Sequence, residues 1–147
     1  MNTHSKLLLL PRVLGGAPLL FFGVMHISGM MPMRPLIEAA HLPMPGAMST
    51  IAPIAQIVAG VLLLAGAFTR AGAVVAIGTM LGALTTHLRI PLDAWPTPTA
   101  TDPNAVGPQP LVMVALALII IAASVVLFIK GPGAMAFDSR TEKPAHS

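Results

Sequence analysis

The sequence predicts an all-α membrane protein: a four-transmembrane-helix bundle with a short amphipathic surface helix in its first outer loop. Three observations carry this. First, 55% of the 147 residues are hydrophobic and only 9% are charged, with a mean hydropathy of +0.83. A soluble domain carries roughly a quarter charged residues, so this chain has too little charge to cover a water-facing surface. Second, four apolar stretches approach the about 20 helical residues that cross a bilayer core of about 30 Å. Third, Lys and Arg fall unequally on the two sides once those spans are drawn.

The first span covers about 12–31, with the apolar run Leu7–Leu10 before it and Pro11 and Pro18 as expected kinks. Pro11-Arg12 breaks the apolar run and so favours a span over a cleaved leader. The second span, about 51–68, follows Ser49-Thr50, residue types suited to capping a helix start, and places Pro53 in its first turn. Only Thr69-Arg70 separates it from the third, about 71–90, so these two form a tight antiparallel hairpin. The fourth, about 111–130, stops at Gly131-Pro132-Gly133, a helix-ending sequence. Residues 1–138 then form the four-helix domain and 139–147 a cytoplasmic tail. Glycines occur in the first three spans, with Gly78 and Gly82 in small-xxx-small spacing, and ordinary bundle packing is expected of all of them.

Orientation follows from the basic residues. Lys6, Arg12, Arg70, Lys130, Arg140 and Lys143 share one side, against Arg34 and Arg89 on the other. By the positive-inside rule both termini are cytoplasmic, in the bacterial inner (plasma) membrane. The net charge of +3 and pI of about 10.2 come without a basic stripe, which argues against a nucleic-acid partner. The chain has no cysteine, which excludes disulfides, thiol chemistry and Cys-ligated metals.

Two loops face outward. The first holds an amphipathic piece, 35–42, bounded by Pro35 and Pro43 and expected to lie on the membrane with Leu36, Ile37 and Ala40 down. Glu38 and His41 are spaced to share one side of its turn. The second, about 91–110, is proline-rich and carries Asp93 and Trp95, the single tryptophan, at the position of an interfacial anchor.

Several of these pieces together resemble the DoxX family of small bacterial four-span membrane proteins. They are Arg12, the stretch "FFGVMHISGM", the hairpin "AGVLLLAGAFTRAGAVVAIGTMLGA" and the closing "GPGAMAFDSR" with Asp138, so the likeness runs from about Arg12 to Asp138. It departs at Gln56, where the family often has Glu, and at His26, where it often has Lys. The resemblance implies a four-helix membrane bundle and association with membrane oxidoreductase assemblies; a relative serves as a subunit of a thiosulfate:quinone oxidoreductase. The expected role is an accessory or structural subunit of a larger redox-linked complex. Its partners would be membrane lipid and other membrane subunits, and a homo-oligomer is compatible.

His26 sits alone in an apolar run. At 1.5 Å per residue it lies about 6–8 Å below the outer end of its span, His87 about 5 Å and Gln56 about 8–9 Å. Polar groups from three spans therefore share one layer, as expected for side chains facing a bundle interior or a water-filled cavity. Arg34, Glu38, His41, Arg89, Asp93 and Trp95 are expected above it. The plainest reading is mutual satisfaction in packing. The first functional alternative is a quinone-like ligand, its carbonyl bonded by a His or Gln and its ring held by apolar walls. A metal is less favoured. His26, His41, His87 and Glu38 are suitable ligand types, with methionine sulfur nearby for Cu(I), and two histidines could ligate haem. Yet Glu-x-x-His occurs once, on a short helix, where di-iron bundles use it twice on long ones. No spanning segment carries Asp or Glu, and no nucleophile–base pattern is present, so no catalytic residue is assigned.

Overall fold

The computed structural model describes residues 7–91, 110–131 and 133. Five α-helices account for almost all of them: α1 (Leu9–Ile27), α2 (Arg34–Ala39), α3 (Pro45–Ala65), α4 (Thr69–Arg89) and α5 (Pro110–Lys130). Four of these, all but α2, are long and apolar enough to cross a membrane. Trp95, Asp93, Asp138 and the expected cytoplasmic tail lie outside the described residues.

Two starts differ from the sequence expectation. α1 begins at Leu9, so Pro11 falls in its first turn, and the helix continues unbroken through Pro18. α3 begins at Pro45, not near Ile51. Proline suits the first helical position because its missing N–H would have no partner there. Ser49 and Thr50 are consequently inside the helix and return their hydroxyls to Gly46 O at 3.0 and 3.2 Å. The chain reaches that start through two left-handed residues, His41 and Met44, both at φ 52°.

α1 and α3 meet along a seam of glycines. A Cβ at Gly60 would stand 2.7 Å from Leu20 N and 2.9 Å from Gly16 O, and one at Gly23 would stand 2.9 Å from Pro53 O. The backbones themselves are in contact, the arrangement small residues permit between helices in lipid. In the α3–α4 hairpin Gly72 makes room for a side chain instead: a Cβ there would stand 2.9 Å from Leu62 Cβ. Gly78 and Gly82 do not: nothing lies within 4 Å of a Cβ at either position. The expectation of bundle packing fails for this pair, because that face of α4 points away from the other helices.

The interior is closed by Leu19, Ala59, Leu63, Ala73, Ala76, Met80, Ile120 and Leu127. At one end, Gly66 in the left-handed conformation (φ 66°) ends α3 and Phe68 (φ 47°) begins α4, which turns the hairpin within a few residues. At the other end α2 lies across the bundle. Its Ile37 and Ala40 are buried, and Ala40 packs with Ile90 just past the end of α4.

Candidate functional site

Each end of the bundle buries polar groups. At the α2 end, α1 stops at Ile27, and Ser28 N and Met31 N return to Val24 O and Met25 O at 2.9 and 3.1 Å. Gly29 takes φ +78°, which suits a residue without Cβ. This folds the chain back over the last turn and places Met31 O 2.6 Å from His26 Nδ1. A carbonyl only accepts, so Nδ1 carries the proton; in the neutral ring Nε2 is then an acceptor. Phe22, one turn earlier, stacks on the ring at 6.2 Å between centroids.

His87, half-buried near the end of α4, is within electrostatic range of His26, and its Nδ1 is shut off from solvent. Gln56 lies on the buried stripe of α3 with Pro53, Ala59, Gly60 and Leu63. Gly23 contacts Pro53 and Ile57, so Gln56 stands level with the turn of α1 just before His26. It is 3% exposed, and its Oε1 meets no donor among the described residues.

Of the charged residues expected above this layer, the described ones are on the surface. Arg34 Nε donates to Glu38 Oε1 at 2.7 Å, with both side chains exposed. α2 ends at Ala39, and His41 and Arg89 are exposed. Glu38 is thus paired with Arg34 along the helix and not with His41, because the left-handed turn at His41 carries that ring off the helix face. Among the described residues no three His, Cys, Asp or Glu are gathered so as to hold a metal ion.

The opposite end holds a residue that sequence reasoning treated only as a topology signal and family match. Arg12 is 5% exposed. Its Nε donates to Leu63 O at 3.1 Å, and its Nη2 donates to Leu64 O. These carbonyls belong to the last turn of α3, where helical donors run out and the helix dipole favours a cation; Leu63 O also accepts Gly66 N–H, at 3.2 Å. A signal was available: an arginine inside an apolar run of a span needs an acceptor at its own depth. Ser124, fully buried in α5, also has an Oγ without a partner among the described residues. A hydroxyl can rotate toward the carbonyls of its own helix, so this group is cheaply satisfied.

No curated protein and no solved structure matches this chain. The family model described as DoxX matches residues 7–89, more than half of the sequence. That stretch contains Arg12, the glycine seam, His26, Gln56, the hairpin and His87. That match, together with four helices long and apolar enough to cross a membrane, identifies the chain as a multi-pass membrane protein that belongs to the DoxX family.

Proposed function

We propose that this chain is an accessory subunit of a redox-linked complex in the bacterial inner membrane, and that it contributes a ligand-holding site among His26, Gln56 and His87. The observation that carries the reading is Gln56: an amide 3% exposed whose carbonyl oxygen meets no donor among the described residues, set level with the turn of α1 just before His26. A buried acceptor left unmade costs about 1–3 kcal/mol, a cost that a ligand's O–H would remove. Gln56 Oε1 and His26 Nε2 are both acceptors, so the site suits an amphiphile that presents hydroxyl groups, the reduced form of a quinone-like molecule. Apolar burial at about 25 cal/mol per Å² would supply most of the binding, and the hydrogen bonds would set orientation.

Both termini are cytoplasmic in this reading, with α2 on the outer side. Cysteines introduced at Thr99 and Ser139 test it: external labelling at 99 alone is expected, and labelling at 139 alone reverses the orientation. Gentle detergent extraction should bring partner subunits with the chain, and organic extraction of the same sample should release a quinone-like molecule. A purified monomer that turns over a substrate unaided would overturn the accessory role.

A further inference from the structure

At the end opposite His26, the first turns of α1 stand off from α5 and leave a groove of about 790 Å³. Leu10 and Leu14 form one wall, Ile119 and Val126 the other, and Ala122 and Ala123 lie between them. The four wall residues are 62, 41, 48 and 39% exposed, so the groove opens toward lipid. Its volume is within the about 300–1,000 Å³ of sites that enclose a small amphiphile. Every lining residue is apolar except Lys130, the exposed last residue of α5.

We propose that this groove binds one anionic phospholipid, with an acyl chain laid over Ala122 and Ala123 and the phosphate at Lys130. The length fits. From Lys130 to Ile119 the helix rises about 16 Å at 1.5 Å per residue, about half of a 30 Å hydrocarbon core, so the groove spans one leaflet from its charged edge inward. The charge fits as well. A lysine at the end of a span reaches the headgroup layer, where an ammonium binds phosphate as a point charge. A second copy docked through the same groove about an axis normal to the membrane would set two Lys130 side chains at the same depth, facing each other. One headgroup neutralises Lys130; a second lysine repels it.

The test is native mass spectrometry of the full chain, delipidated in detergent and titrated with dioleoylphosphatidylglycerol or dioleoylphosphatidylcholine. The expected result is a one-to-one adduct, with phosphatidylglycerol retained about fivefold better, the ratio one basic residue supplies near an anionic headgroup. Lys130→Gln should bring the two lipids level. Ala122→Phe, which fills the floor, should remove both adducts, and so should Ile119→Trp on the lipid-facing wall, a substitution the fold tolerates even where the first is disruptive. Inorganic phosphate should give no adduct. Equal retention of the two lipids by the unaltered chain, adducts that survive both groove-filling variants, or a dimer lost on filling the groove would each overturn the proposal.

Discussion

At the hairpin end, Arg12 is 5% exposed and donates to the carbonyls of Leu63 and Leu64; at the α2 end, Gln56 is 3% exposed and its carbonyl oxygen meets no donor among the described residues. Both groups lie inside the span of a membrane protein, where a polar group without a partner is costly. The fold supplies acceptors for Arg12 because α3 ends at that depth, where carbonyls run short of helical donors; Leu63 O takes Gly66 N–H at 3.2 Å and keeps a second lone pair for the guanidinium. Gln56 lies mid-helix, where the backbone carbonyls and amides around it are already engaged with one another. The contrast separates a polar group that builds the bundle from one that we propose meets a ligand.

The largest expected effect breaks the satisfied end. Arg12→Met removes the two charge-assisted bonds to Leu63 O and Leu64 O and should lower stability by about 3–6 kcal/mol, at about 1.5–3 kcal/mol for each bond. Arg12→Lys keeps the charge but has no planar fork to reach two carbonyls, so about half that loss is expected. Thermal unfolding in detergent measures both; an Arg12→Met variant as stable as the parent removes Arg12 from the architecture.

The glycine seam sharpens the same distinction between used and unused surface. Gly60→Val must push α1 from α3 and should cost about 1–3 kcal/mol, the usual penalty of overpacking. Gly78→Val meets open space and should stay within about 0.5 kcal/mol of the parent. A reversal of that order would show that the Gly78–Gly82 face is covered in the membrane.

The α2 end calls for a split between stability and retention. Gln56→Leu removes an unpartnered acceptor, so it should leave the bundle at least as stable while releasing the co-purified small molecule. His26→Phe and His87→Phe should weaken retention of that molecule by about 1–3 kcal/mol, the cost of an unpaired polar partner, without unfolding the helices. If all three variants retain it unchanged, the histidines and the glutamine are packing groups.

Much of the architecture was legible in the residues. Four apolar stretches, the two-residue gap before Ala71 and the proline-bounded piece after Met33 dictate four spans, a hairpin and a surface helix, because hydropathy and helix-breaking residues act locally. The start of α3 was misread because Ser49 and Thr50 are good caps in isolation; Pro45, four residues earlier, is the better start, and the left-handed Met44 that precedes it is not visible in a propensity.

What the sequence by itself determined is the number, order and approximate length of the helices. What only the tertiary structure decided is which face of each helix turns inward. Just 28% of each span's apolar 18-residue window is buried, and the remaining leucines, valines and isoleucines are equally apolar toward lipid. In water, the polar face of a helix announces its exposed side; in a bilayer both sides read alike. Which glycines touch, what Arg12 donates to and which residue holds His26 therefore depend on how the helices meet.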